Sequence, residues 1–172
     1  KGMIVSMSRE ICVHLYNEIV ALRSDWHDPD PEKGKIKVVM TGSASDKPLL
    51  QPHIHNKQVK KRLEKRFKDV KDPLQLVIVR DMWLTGFDVP FLDTIYIDKP
   101  IQQHNLIQTI SRVNRKFEGK KKGLVVDYIG IKKQMNLALA HYNKGDKDNF
   151  EDITQSLVVV KDHLDVLTKL FH

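Results

Sequence analysis

The chain predicts an α/β fold in which helices cover both faces of a parallel sheet, and two observations carry that expectation. Short, nearly continuous runs of Val, Ile and Leu, such as "LVIV" at 76–79, suit strands buried on both faces. Segments with apolar residues at helical spacing alternate with these runs, and strand, helix, strand alternation is the sequence form of right-handed βαβ units.

Five strands are expected: "MIVSMS" (3–8), "KIKVVMTG" (35–42), "LQLVIVR" (74–80), "DTIYID" (93–98) and "GLVVDY" (123–128). After the first, "REICVHLYNEIVAL" sets Ile11, Leu15, Glu18, Ile19 and Leu22 at helical spacing, with Ser8 placed to cap the helix. The Pro-, Asp- and Gly-rich "SDWHDPDPEKGK" (24–35) reads as a turn, and "SASDKPLLQPHIHN" (43–56) as a long surface loop. "NKQVKKRLEKRFKDV" puts Val59, Leu63, Phe67 and Val70 on an apolar stripe and basic residues elsewhere. A further helix, about 101–116, follows the fourth strand. Residues 1–130 are expected to form one domain. Residues 131–172 read as a helical extension in two pieces broken at "NKGDKDN", the second with Leu157, Val160, Leu164, Leu167 and Leu170 on one face, leading towards a following helical domain.

Composition bounds the function loosely. Of 172 residues, 41% are hydrophobic, enough for a real core. The 29 Lys and Arg against 22 Asp and Glu give a formal charge of +7, which favours a polyanionic partner. The single Cys12 lies between Ile11 and Val13, where a buried thiol is expected rather than a nucleophile, and a reducing cytoplasm follows as the default location. No apolar run approaches the roughly 20 residues that span a bilayer. The chain opens on a strand-like run without an initiator methionine, which suggests a piece of something larger.

In parallel sheets ligands gather at the carboxyl ends of the strands. There the loop "LTGFDVP" offers Gly86 for positive φ or close backbone approach and Thr85 and Asp88 as hydrogen-bonding groups. It suits a ribose or a sugar-phosphate backbone, or is simply a turn in which Asp88 caps local amides. In "QTISRVNR", Gln108, Arg112 and Arg115 fall three and four apart and would share one helical face. They form either a solvated face of weak ion pairs or a phosphate-recognising group, for which the planar guanidinium is suited. His53 and His55 have no Cys or carboxylate at ligand spacing, so no metal site is expected. No G-x-x-x-x-G-K-[ST] loop occurs, and "FEGKKKG" has the wrong order. No acidic motif placed to hold magnesium and no Ser, His, Asp arrangement is present either. If this chain handles ATP, it supplies half the site.

The stretch "VIVRDMWLTGFDVPFLDTIYIDKPIQQHNLIQTISRVNRKFEGKKKGLVVDYIG" closely resembles the second RecA-like motor domain of superfamily 2 helicases and translocases, in the form found in the R (motor and endonuclease) subunit of type I restriction enzymes. "LTGFDVP" resembles helicase motif V, "QTISRVNR" motif VI, and "MIVSMSRE" motif IV; together they span about residues 3–130. The resemblance implies that Arg112 and Arg115 face the γ-phosphate of ATP, one of them as an arginine finger. It implies that Gln108 orients the nucleotide or the attacking water, and that Gly86 and Asp88 contact the ribose or relay the nucleotide state. Thr85, Ser8, Arg9, Thr41 and Gly42 would contact the DNA backbone. Many relatives have Gly where Ser111 stands, another small residue.

ATP and Mg2+, bound mainly by a first motor domain, are the implied cofactors. Double-stranded DNA, the first motor and nuclease domains of the same subunit, and the methyltransferase and specificity subunits are the implied partners; no membrane is. The implied function is half of an ATP-dependent duplex translocase that drives restriction cleavage. The alternatives are the second domain of another superfamily 2 motor and a non-catalytic nucleic-acid-binding module.

Overall fold

The computed structural model describes residues 1–130 apart from 85, 102, 114, 116, 118, 119, 121 and 122. The expected helical extension at 131–172 lies outside the described residues. Five strands, β1 (Gly2–Ser6), β2 (Ile36–Val39), β3 (Leu76–Val79), β4 (Thr94–Asp98) and β5 (Leu124–Asp127), form one sheet in the order β2-β3-β1-β4-β5. Every pairing is parallel; Ile4, for instance, lies between Ile78 and Tyr96. Each strand is shorter than its apolar run by one to four residues, because the flanking positions turn into the loops that carry polar groups.

Three helices, α1 (Arg9–Leu22), α2 (Lys57–Phe67) and α3 (Gln103–Val113), cover the sheet from two sides. The larger core joins Met3, Val5, Val77, Val79, Ile95 and Ile97 of the sheet to Leu63 and Phe67 of α2 and Leu106, Ile110 and Val113 of α3. The smaller core joins Cys12, Val13 and Tyr16 of α1 to Ile36, Val38, Met40 and Ile78. Alternate residues of β1 and β3 therefore face opposite layers, as a period of two requires.

Two helical expectations are corrected. In α1 the fully buried side chains are Cys12, Val13 and Tyr16, not the stripe Ile11, Leu15, Ile19 and Leu22, and Leu22 is 81% exposed. The reason is tertiary: α1 packs over β2 and β3. Leu15 and Ile19 instead wall an open groove of about 880 Å3 with Trp26, Ile4, Leu76 and Tyr96. In α2 the stripe stops at Phe67, with Lys68 as the cap residue, so Val70 falls in the following turn and is 54% exposed.

The inner cation of α2 fixes its far end. Arg66 is buried and donates to Pro31 O, Lys33 O, Gly34 O and both carboxylate oxygens of Asp72, joining the 24–35 loop to the turn before β3. A guanidinium can be buried when its donors are satisfied in this way.

Candidate functional site

Because all five strands run the same way, their carboxyl ends open onto one edge. Two clusters of polar groups lie along it. The first is built on the loops after β1 and β2. Ser8 sits in extended backbone and its Oγ accepts from Ile11 N at 3.1 Å, capping α1. Arg9 then reaches across the end of β3 to the loop after β2, donating to Thr41 O at 3.0 Å and to both oxygens of Asp46 at 2.8 and 2.7 Å. Asp46 also accepts from Ser43 N, and Arg9 beside it holds its carboxyl down at about 2. Gly42 is closely packed: a Cβ there would lie 2.5 Å from Ile54 Cδ1, so that side chain would have to shift. Ser8, Arg9, Thr41 and Gly42 are thus brought into one neighbourhood, with the guanidinium already committed to a carboxylate.

The second cluster joins the loop after β3 to α3. Arg112 Nε donates to Leu84 O at 3.0 Å, and Arg115 Nη1 donates to Asp88 Oδ2 at 2.9 Å. Arg112 is partly buried, and desolvation lowers its pKa, with Asp88 opposing and Arg115 reinforcing that shift. The Arg115 and Asp88 side chains are each 54% exposed. Gln108 is partly buried one helical turn before Arg112. The expectation that all three side chains share a helical face is corrected, since α3 ends at Val113 and Arg115 lies beyond it. Arg115 nevertheless reaches the same loop as Arg112. Thr85 lies outside the described residues.

The loop itself is held by groups that sequence reasoning passed over. Gly86 has φ +66° and open space around it, so backbone conformation rather than crowding calls for glycine. Trp83 adopts φ 66°, a strained value for a bulky residue. Its ring stacks on Phe87 at 4.5 Å and on Phe67 of α2 at 5.9 Å, which holds that backbone in place. Lys120 Nζ donates to Pro90 O, Leu92 O and Val113 O, tying the loop's exit to the end of α3. The aromatic spacing Trp83, Phe87 was the one available sequence signal; nothing local marks Lys120 or Asp46.

The side groups weighed for other chemistry are packed. Burial pushes the Cys12 thiol up to about 11, which removes thiolate reactivity near neutral pH. His53 meets Tyr16 edge-on at 4.7 Å, and burial pushes it down to about 4. Among the described residues no three His, Cys, Asp or Glu side chains converge as a metal site, and no helix is long and apolar enough to cross a membrane.

A five-stranded parallel sheet with helices on both faces, carrying its polar loops on the carboxyl edge, defines a RecA-like α/β domain. Residues 6–130 match the family described as type I restriction enzyme subunit R domain 3, and the chain belongs to that family. It is 50% identical over 176 residues to the type I restriction enzyme HindI endonuclease subunit of Haemophilus influenzae, a match covering 99% of this chain and 17% of that protein. It is 42% identical over 173 residues to the putative type I restriction enzyme MjaIXP endonuclease subunit of Methanocaldococcus jannaschii, covering 99% of this chain and 16% of the relative. The chain therefore spans about a sixth of the length of these curated relatives.

Proposed function

We propose that the chain is the second motor domain of a type I restriction enzyme R subunit, acting as half of an ATP-dependent translocase on double-stranded DNA. The observation that carries this reading is the convergence of Arg112 and Arg115 on the 84–88 loop at the carboxyl edge of the sheet. Arg112 is tethered through Nε, which fixes its guanidinium against the loop. Arg115 is held by an exposed ion pair of the kind worth about 0–1 kcal/mol, so a phosphate can displace Asp88 at small cost.

In this reading a first motor domain of the same subunit binds ATP and Mg2+, and ATP-driven closure brings its γ-phosphate to these arginines, one serving as the finger. Residues of this chain fit the phosphate but not the metal, since the described residues hold no cluster of carboxylates. Gln108 orients the nucleotide or water, and Asp88, released by Arg115, and Gly86 meet the ribose or report the nucleotide state. Ser8, Arg9, Thr41, Gly42 and Thr85 track DNA phosphates, contacts that carry little sequence information and suit a motor stepping along any duplex. Nuclease, methyltransferase and specificity functions belong to other parts of the complex.

The test is DNA-stimulated ATPase of the full subunit. Arg112→Ala and Arg115→Ala are expected to include one variant reduced by about 10³-fold, with duplex binding retained, and this chain alone is expected to hydrolyse no ATP. A competing reading, a nucleic-acid-binding module without motor activity, rests on the formal charge of +7, which suits a polyanion whether or not ATP is hydrolysed. It predicts full ATPase in both variants and weakened DNA binding.

A further inference from the structure

We propose that the outward face of α2 is a docking surface for the phosphodiester backbone of duplex DNA, separate from the loops at the carboxyl edge. The first observation is a partition of charge. Cations elsewhere in the described structure are matched: Arg9 with Asp46, Lys35 with Asp25, Lys47 with Glu10 and Lys99 with Asp81 are examples. Others, such as Lys37 and Lys120, satisfy backbone carbonyls. Among the described residues, the cationic side chains with no hydrogen bond or ion pair are Lys57, Lys60, Lys61 and Lys65 of α2 and Lys71 just after it. Of the acids beside the row, Glu64 pairs with Lys68 and Glu32 with Arg62, while Asp69, just past the end of α2, accepts from Lys71 N and forms no ion pair among the described residues.

The second observation is that this arrangement opposes the helix that carries it. Lys57, Lys61 and Lys65 succeed one another four residues apart, so like charges lie one above the next, a spacing that destabilises an isolated helix. Lys57 also opens α2, and its first turn holds no acidic residue, although a helix N-terminus favours negative charge. Asn56 caps the first turn and Lys65 in the last turn suits the helix dipole, but among the described residues no acid pairs with Lys57, Lys61 or Lys65, so the repulsion along the row and the ill-placed charge of Lys57 remain. A polyanion would offset both.

The third observation selects the polyanion. Leu63, Arg66 and Phe67 bury the inner side of α2, so the row is presented by a fixed helix. At about 1.5 Å per residue, Lys57 to Lys65 spans about 12 Å. Duplex DNA presents one charge per ~1.7 Å of axis, more than enough to match every lysine in that length. The exposed large apolar residues of the described chain, Met7, Leu22, Leu49, Val70, Phe117 and Tyr128, lie off α2. The face thus lacks the apolar anchor that a protein hot spot or a membrane surface requires. The helix is the next α-helix after the loop carrying Thr41, Gly42 and Asp46, separated from it by a 3-10 turn at Gln51–His53, so the row continues outward from the edge where DNA is proposed to lie. The surface rests on the DNA-motor reading for the identity of its ligand and extends it to residues outside the motif loops.

The experiment measures fluorescence anisotropy of a labelled, mixed-sequence duplex with the 172-residue chain over a range of KCl concentrations. Lys57→Ala/Lys61→Ala/Lys65→Ala is compared with a charge-matched control, Arg23→Ala/Lys33→Ala/Lys35→Ala, on the ion-paired loop. Each phosphate contact contributes about 0.9 to the slope of log K against log salt. The α2 variant is expected to flatten that slope by about 2 to 3 and to lose at least about tenfold in affinity at low salt. The control is expected to keep the slope. Because alanine relieves the like-charge row, the α2 variant is expected to melt no lower than the parent, which separates lost contact from lost fold. Equal slopes for variant and control would overturn the proposal, as would a parent chain that binds anionic vesicles but not duplex. The motor reading is decided separately, by Arg112→Ala ATPase in the full subunit, in which these lysines take no part.

Discussion

At Gly123 a single methyl group decides whether α3 and β5 can coexist. A Cβ there would lie 2.0 Å from Val113 O, a backbone atom that also accepts from Lys120. Gly123→Ala is therefore expected to cost about 1–3 kcal/mol or more in chemical denaturation and to displace the segment carrying Arg112 and Arg115. Asp88→Asn works in the other direction: it removes the ion-pair partner of Arg115 and, under the motor reading, should raise apparent ATP affinity of the full subunit while lowering turnover. His53 gives a pH signature. Its folded pKa of about 4 lies below the ordinary 6.5, so the unfolded chain takes up a proton first as pH falls. Stability should be full above about pH 6.5 and decline between about 6.5 and 4, a decline flattened in His53→Gln. Asp25 and Asp46, held near 2 by Arg23 and Lys35 and by Arg9, add a separate loss below about pH 4. At this scale the sequence marked candidate residues but not their partners. Arg9 and Asp46 are 37 positions apart, and no local pattern joins them.

Among the elements, the strands were the most legible, because a strand buried on both faces writes itself as a continuous apolar run. Helix faces were less so. The periodicity of α1 marked Ile11, Leu15, Ile19 and Leu22, and only packing over β2 and β3 rather than β4 decides that Cys12, Val13 and Tyr16 are the buried residues. The limit of α2 was obscured because Val70 continues its stripe in register after the helix has stopped. For the candidate site, the loop and the arginines were both legible, whereas the clamp that shapes the loop was not. Phe67 lies in α2, some 16 residues before Trp83, and its ring meets those of Trp83 and Phe87 only in the folded chain. Phe67→Ala is expected to destabilise the domain by about 3–5 kcal/mol, measured by urea denaturation. It should also raise hydrogen exchange in residues 81–88 beyond the global change, since the strained Trp83 backbone loses its brace.

Over the whole molecule, the strand order makes the first strand the central one, flanked by β3 and β4. Removing residues 1–6 would divide the sheet rather than trim an edge, and should abolish any cooperative thermal transition. The same topology has a consequence in time. During synthesis β1 emerges first, yet its two neighbours begin at Leu76 and Thr94, so neither of its hydrogen-bonding edges can be satisfied until most of the domain is made. Pairings of such long sequence separation close slowly, with folding expected on the millisecond-to-second scale of non-local sheets. In the interval the nascent segment "GMIVS" is an apolar strand with two open edges, the kind of surface that chaperones protect and aggregates recruit. The central position that secures this strand in the finished domain makes it the most exposed part of the unfinished one.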